Sequence, residues 1–146
     1  MNIRIMKKED YESLYALWLS CTGMGLNDVD DSYEGIAKYI DRNPETSFVA
    51  EKDGKIVGAI MAGHDGRRGY IHHTAVSPDH RSEGIGKALV DAAVDALKKE
   101  GISKVNLVVF ARNEGGNAFW EKIGFTQRFD LAYRNKTLVK MVRHDT

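Results

Sequence analysis

The sequence predicts an α/β (α+β) fold: a single mixed, mostly antiparallel sheet of about seven strands, with four helices on both of its faces. Two observations predict this class. Strand-like runs within residues 47–77 follow one another through short turns, which is typical of an antiparallel meander. Helical patterns at 84–100 and 113–123 flank an apolar run at 104–110, and such a crossover implies a parallel strand pair. The predicted order is β-α-α-β-β-β-α-β-α-β-β.

The first third of the chain is predicted to supply one strand and two helices. Residues 2–6 alternate apolar and polar side chains, which indicates a half-buried strand. A helix follows, and residues 21–31 are predicted to form a loop. Ser32 is a suitable N-cap for a second helix that runs to Asp41, just before Pro44. The apolar face of the first helix is formed by Tyr11, Leu14, Tyr15 and Trp18.

The middle of the chain reads as three consecutive strands. Residues 47–52 and 55–62 are separated by Asp53-Gly54, a strong signal for a two-residue hairpin. A second turn at residues 63–69 leads into the third strand at 70–77. These strands would form the antiparallel centre of the sheet.

The last third is predicted to complete the sheet. Residues 104–110 (KVNLVVF) have the composition of a buried strand. Asn113 begins a helix that ends at Gly124. Residues 125–141 are predicted to form two strands that fold back at Arg134-Asn135.

Composition limits the classes of function. The 146 residues suggest one domain, 1–146, and 21 basic residues balance 21 acidic ones. We therefore expect neither nucleic acid nor a membrane surface as a partner. A single cysteine, Cys21, excludes an internal disulfide. With no signal-peptide pattern and no apolar run of membrane-spanning length, we expect a soluble, cytoplasmic protein.

The stretch from Val76 to Leu89 has the pattern of a phosphate-binding turn. An apolar run ends at a proline, Arg81 follows, and Gly84 and Gly86 precede an amphipathic helix. Glycines allow backbone N–H groups to approach an anion, and the helix N-terminus attracts it. A dinucleotide-binding Rossmann motif needs a third glycine, which is missing here. A nucleotide triphosphatase loop needs Ser or Thr where Ala88 stands, and we expect no metal site.

The segment Arg81-Ser82-Glu83-Gly84-Ile85-Gly86 resembles the [Gln/Arg]-x-x-Gly-x-[Gly/Ala] pyrophosphate loop of the GNAT superfamily of N-acetyltransferases. Residues 74–78 resemble the fourth strand of that family, and residues 113–125 resemble its second cofactor motif. The resemblance covers almost the whole chain and is nearest to small bacterial single-domain members. It implies transfer of the acetyl group of acetyl-CoA to a primary amine, directly, in a ternary complex. The alternative is a sensor or interaction module that binds CoA with little catalysis.

The same resemblance implies a set of residues around the cofactor. Backbone N–H groups of residues 82–87 would hold the pyrophosphate, and Val76 would pair with the pantetheine arm as a strand does. For Asn113 a simple N-cap role is an equally good interpretation. The implied cofactor residues are Ala75, Val76, Arg81, Ser82, Glu83, Gly84, Ile85, Gly86, Lys87, Asn113, Gly116, Phe119, Trp120 and Lys122.

The general base is sought on the strand at 70–77. Histidine titrates near neutral pH, so His72 is the first candidate and His73 the second, with Tyr70 beside them. Alternation puts Tyr70 and His72 on one face, together with Thr74 and Val76. It puts His73 on the other face, together with Ile71 and Ala75, so the two histidines would not share a metal ion. Each histidine has a competing interpretation as a residue that only hydrogen-bonds within the sheet.

The general acid and the acceptor site are less defined by the sequence. Many family members have a tyrosine where this chain has Trp120, and an indole N–H is too weak an acid to protonate a thiolate. Tyr133 is the candidate replacement, whereas Trp120 is interpreted mainly as a packing residue. Trp18, Asp28 and Asp30 are candidates for binding the acceptor amine, and Asp31 of the same loop could also attract it. The alternatives are a core residue for Trp18 and a solvated polar loop for the aspartates. The acceptor would be a small molecule or a protein amino group, and the protein a monomer or homodimer.

Overall fold

The computed structural model describes residues 1–145. Its strands are β1 (Asn2–Ile5), β2 (Leu26–Asn27), β3 (Phe48–Lys52), β4 (Lys55–His64), β5 (Gly69–Val76), β6 (Val105–Asn106) and β7 (Arg143–His144). Its α-helices are α1 (Tyr11–Ser20), α2 (Tyr33–Arg42), α3 (Ile85–Lys99) and α4 (Glu114–Lys122). Short 3₁₀ turns precede α1 at Lys8–Asp10 and α3 at Pro78–His80.

Five strands form the main sheet in the order β1-β3-β4-β5-β6. The first three pairings are antiparallel, and β5 pairs with β6 in parallel, as the crossover through α3 requires. The predicted fold class is therefore confirmed: four α-helices accompany a mostly antiparallel, mixed set of seven strands. The seven strands are divided, however, because β2 and β7 form a separate antiparallel pair.

Two turn and cap predictions are confirmed in detail. Asp53 and Gly54 connect β3 to β4 with φ values of 52° and 75°, the two left-handed residues of a type I′ hairpin. Ser32 caps α2, its hydroxyl accepting a hydrogen bond from the Gly35 amide. Both features fix the direction in which the chain returns to the sheet.

The helices cover the two faces of the main sheet as predicted. On one face α1 and α2 pack against the sheet through Leu14, Trp18 and Ile36. On the other face α3 packs through Leu89 and Leu97, with α4 beside it. Each face therefore has its own hydrophobic cluster.

Three strand predictions differ from the structure. The loop at 21–31 contains β2, and the predicted strand 104–110 is a strand only at β6, where it is half-exposed. Residues 125–141 form neither of the two predicted strands, and the C-terminal strand is β7 instead. Apolar side chains of this segment are exposed, among them Phe129 at 87% and Leu138 at 86%. The alternation is present in the sequence, but the strand needs a partner edge that local pattern does not specify.

Two irregularities of β5 shape the site. Thr74 pairs with Ile60 and Ile71 with Ala62, so β5 has two residues, His72-His73, opposite one residue of β4. This is a β-bulge. In addition, β6 pairs only with Gly69 and Tyr70, so β5 beyond residue 70 has an edge that β6 does not cover.

Within residues 1–145, no α-helix combines the length and the apolar character that crossing a bilayer requires.

Candidate functional site

The loop between β5 and α3 turns through two left-handed residues directly into the N-terminus of α3. Ser82 and Gly84 have φ values of 64° and 81°, both in the left-handed region, and α3 begins at Ile85 directly afterwards. The first amides of an α-helix have no acceptor within the helix. In α3 the bond from Ala88 N–H to Gly84 O closes the first turn at 3.1 Å. The loop and the helix N-terminus together form a cradle for an anion.

Glu83, one of two carboxylates in this loop together with Asp79, pairs with a neighbouring lysine. Lys52 Nζ donates to Glu83 Oε1 at 3.1 Å, and His80 Nδ1 lies 3.4 Å from Glu83 Oε2. The hydrogen bond from Lys52 holds the pKa of Glu83 below its usual range. Lys87 instead contacts Asp91 along the surface of α3, at 2.7 Å. The Glu83 carboxylate is therefore paired with a cation and is not an isolated negative charge beside the start of α3.

Gly86 brings three predicted site residues together. A Cβ at Gly86 would lie 3.3 Å from the Phe119 ring and 3.8 Å from a Val76 methyl group. The glycine thus lets α4 pack close to the start of α3 and the end of β5. These are the three elements that the sequence predicts around the cofactor.

Val76 carries polar backbone groups on the uncovered edge of β5. Ser77 N–H donates to Val57 O at 2.8 Å, so the neighbouring Val76 directs its own N–H and C=O away from β4. Arg81 Nε donates to this carbonyl at 2.9 Å, and Arg81 Nη2 lies 3.7 Å from Cys21 Sγ. A strand-like ligand that pairs with Val76 would take the place of the Arg81 side chain. The anion cradle and this strand edge therefore suit a pyrophosphate that carries an extended amide-containing arm.

On α4 the structure places the predicted residues in two settings. Asn113 is the N-cap, accepting from Gly116 N–H at 2.9 Å, and a Cβ at Gly116 would clash with it. Trp120 packs between Phe119 and Phe125, with ring centroids 5.1 Å from each. Lys122 is exposed. These contacts agree with the interpretation of Trp120 as a packing residue and of Asn113 as an N-cap. That either residue also contacts the cofactor stays a prediction.

The predicted faces of β5 are wrong at the histidines. His72 packs edge-on against Tyr39 of α2, and His73 packs against Trp18 of α1, with ring centroids 5.3 and 5.0 Å apart. Both histidines therefore lie on the α1–α2 face. Ile71 and Ala75, predicted to share a face, belong to opposite hydrophobic clusters. The bulge at His72-His73 is the reason, because one extra residue reverses the alternation beyond it.

His73 has a buried carboxylate partner. Its Nε2 lies 2.7 Å from Asp31 Oδ1, and the side chains are 16% and 5% exposed. The sequence reasoning did not distinguish Asp31 from the other loop aspartates. The available signal is that Asp31 directly precedes the Ser32 cap, which fixes it beside the start of α2. Trp18 is fully buried beneath the histidine.

His72 lies in an aromatic environment. Its ring is 4.5 Å from that of Tyr70 and edge-on to Tyr39. Burial lowers the pKa of His72, and the neighbouring His73 lowers it further. Burial also raises the pKa of Tyr70, with a smaller contribution from nearby Tyr133. The sequence did not indicate Tyr39 as a site residue, although its helical spacing with Ile36 predicts that it faces the sheet.

The remaining predicted site residues are Tyr133, Asp28 and Asp30. Tyr133 is 69% exposed and near Tyr70. Asp28 holds the C-terminal segment, its Oδ1 accepting from Val142 N–H at 2.6 Å, while Asp30 accepts from the Asn27 amide group. Within the described part of the chain no three His, Cys, Asp or Glu side chains are grouped as metal ligands.

An anion-binding turn at the start of a helix, beside an uncovered strand edge, is the arrangement expected of an acyltransferase that uses a CoA thioester. Comparisons agree with this class. The model of the acetyltransferase (GNAT) family matches residues 11–125. An acetyltransferase of Sodalis glossinidius (strain morsitans) is 31% identical over 140 residues, covering 96% of this chain and 97% of that protein. The chain belongs to the GNAT family of acetyltransferases.

Solved structures support the same fold. The crystal structure of Ard1 from Thermoplasma volcanium superposes with a TM-score of 0.76 at 25% identity, covering 86% of this chain and 82% of that one. The PaiA N-acetyltransferase from Thermoplasma acidophilum, in complex with coenzyme A, gives a TM-score of 0.74 at 23% identity, covering 86% and 89%. The predicted family and the predicted enzyme class are both confirmed.

Proposed function

We propose that this acetyltransferase moves the acetyl group of acetyl-CoA to a primary amine by direct transfer in a ternary complex, with residues 1–146 acting as one domain in the cytoplasm. The observation that carries the proposal is the arrangement along β5. The backbone edge of Val76, which neither β4 nor β6 covers, lies next to the anion cradle, and the histidine pair lies three to four residues upstream on the same strand. Acetyl donor and amine would then meet at one end of β5.

The residues present fit acetyl-CoA. Amides of residues 82–87 would bind the pyrophosphate, because the left-handed conformations at Ser82 and Gly84 turn the chain into the helix N-terminus. Val76 would pair with the pantetheine arm. Phe119 packs against both places, and Ala75, Asn113, Gly116, Trp120 and Lys122 remain proposed contacts on β5 and α4. Acetyl-CoA supplies the acetyl group already activated as a thioester.

The chain's own groups would supply the acid–base chemistry. An N–C bond forms as the C–S bond breaks, and the ammonium nitrogen loses two protons. The first passes to solvent through a histidine, and the second replaces, through water, the proton that Tyr133 gives to the departing sulfur. A histidine on the α1–α2 face would take the first proton. The Val76 N–H is the candidate donor to the carbonyl oxygen. Tyr133, near Tyr70, remains the proposed source of the proton for sulfur.

The acceptor is proposed to enter over the α1–α2 face. Asp28 and Asp30 lie in the loop between these helices and would attract a cationic amine. Trp18 would support the site from below through its contact with His73. The proposed acceptor is the amino group of a small molecule or of a protein.

The test is an acetylation screen of the purified chain with acetyl-CoA. Three amine pools are used: polyamines and aminoglycosides, peptides with a free N-terminus, and N-terminally blocked peptides that contain lysine. Thiol release and mass spectrometry report transfer, and initial rates with both substrates varied report its order. We expect acetylation of an amine nitrogen with intersecting rate lines.

Matched variants make the result specific to the cradle. Gly84→Asp places a carboxylate in the proposed anion site, whereas Gly54→Asp makes the same change at another left-handed glycine that has open space around it. We expect loss of transfer only in Gly84→Asp. Parallel rate lines with an acetylated protein intermediate would contradict direct transfer. Absence of thiol release with all three pools would contradict the amine acceptor.

A further inference from the structure

We infer that His73, and not His72, accepts the proton of the acceptor amine, and that Asp31 is the residue that positions it. The inference rests on the proposed function and names the base of that site. It is carried by the hydrogen bond between Asp31 Oδ1 and His73 Nε2, at 2.7 Å in a nearly buried setting.

The hydrogen bond determines which ring nitrogen is free. An ionised carboxylate only accepts hydrogen bonds, so the proton of neutral His73 lies on Nε2 and points at Asp31. Nδ1 is then left with its lone pair. A carboxylate in this place also stabilises the imidazolium that forms when Nδ1 takes a proton, which is the role of the third member of hydrolase triads.

The loop between α1 and α2 holds Asp31 firmly. Its second oxygen, Oδ2, accepts from the Asn27 backbone N–H at 2.9 Å. Its carbonyl accepts from the Tyr11 hydroxyl of the first helix at 2.7 Å. Because both carboxylate oxygens and the backbone are bonded, Asp31 has little freedom to turn away from His73. The loop that covers the acceptor side thus also orients the base.

The groups that face His73 come from three elements. From α1 it meets the Trp18 indole, which does not titrate. From the loop it meets Asp31, and from β5 it meets His72, which itself lies near Asp30 and Asp31. His72 contacts Tyr39 and Tyr70 through its ring, and burial disfavours its charged form. Of the two histidines, His73 has the partner that a proton acceptor needs.

The proton step is simple in its balance. The ammonium group R–NH₃⁺ passes one proton to His73 Nδ1, which leaves R–NH₂ with a free lone pair and His73 as imidazolium. The proton then passes from Nδ1 to water, which restores the neutral ring with its Nε2–H on Asp31.

The first test needs no acceptor. Two-dimensional NMR of the ¹⁵N-labelled histidine rings, in the full chain without ligands, reports the tautomer and the titration of each ring. We expect neutral His73 as the Nε2–H tautomer, and Asp31→Asn should weaken this preference. An Nδ1–H tautomer of His73 in the wild type, or the same tautomer populations in Asp31→Asn, would overturn the inference.

The second test is the pH dependence of kcat/KM with acetyl-CoA and the amine pools described above. His73→Gln should lose the acidic limb and lower kcat by about 10²- to 10⁴-fold. Asp31→Asn should lower kcat, and Asp31→Glu should restore part of the rate. Asp95→Asn, an exposed change on α3, is the matched control and should behave as wild type.

Binding and folding controls separate the two proposals. Calorimetric CoA binding should be close to wild type in Asp31→Asn, and a cooperative thermal transition above the assay temperature, even at a lowered midpoint, shows that the variant is folded. If the wild type acetylates an amine and His73→Gln keeps the acidic limb, the assignment of His73 is wrong and the proposed function stands. If the wild type acetylates no amine while the NMR result is as expected, the proposed function fails and the Asp31–His73 pair stands.

Discussion

Replacing Gly84 by alanine tests the cradle with a control built into the chain. Gly84 has a φ of 81°, and a Cβ built on it meets no atom within 4 Å. Gly54, in the β3–β4 hairpin, has a φ of 75° and equally open space. Both substitutions therefore introduce the same backbone strain and no clash.

The expected loss of stability is the same for both variants. A left-handed conformation costs an L-residue roughly 1–2 kcal/mol. For a domain of this size, each kcal/mol lowers the thermal midpoint by roughly 2–4 °C, so each variant should melt about 2–8 °C below wild type. Thermal unfolding followed by circular dichroism measures this shift.

The expected effect on CoA binding separates them. If Gly84→Ala relieves its strain by turning one amide away from the pyrophosphate, it loses a hydrogen bond to a charged group, about 1.5–3 kcal/mol. That is roughly a 10- to 150-fold rise in Kd, measured by isothermal titration with CoA. Gly54→Ala should leave Kd unchanged. Equal Kd values for Gly84→Ala, Gly54→Ala and wild type, at equal loss of stability, would refute the assignment of the loop.

Three further changes test the core and its charges. Leu89→Ala, at a fully buried position, should lower the free energy of unfolding by about 2–5 kcal/mol in urea titration, whereas exposed Leu138→Ala should change it little. Burial depresses the pKa of His72 below its usual 6.5, so the folded state binds that proton less readily than the unfolded chain. Stability therefore falls as the pH drops below about 6.5. His72→Gln should reduce this loss, as measured by thermal unfolding at a series of pH values. Burial alone would raise the pKa of Asp10, but hydrogen bonds from Arg4 outweigh it and the pKa is lowered. The contribution of Asp10 to folding stability is therefore present above about pH 4 and is lost on acidification. Asp10→Asn should remove that part of the pH dependence of thermal unfolding.

Most of the fold was predictable because its signals are local. The Asp53-Gly54 turn and the Ser32 and Asn113 caps specify their own geometry within a few residues. Strands at the edges depend on distant partners instead. Residues 125–141 alternate like strands but form none. The C-terminal strand is β7, which follows them and pairs with β2 in the α1–α2 loop. No local pattern indicates that pairing, which joins segments about a hundred residues apart.

The site shows the same division at the scale of single residues. The cradle at 81–86 was predictable because glycine spacing and a helix start encode it directly. The arrangement of the histidines was not, because a β-bulge is a property of the pairing between β4 and β5. A regular strand would place His72 and His73 on opposite faces, leaving only one of them on the α1–α2 side. The bulge turns both to that side, and only there is His73 within reach of Asp31. The β-bulge, which made the prediction of the strand faces wrong, therefore also creates the histidine–carboxylate pair on which the proposed proton transfer depends.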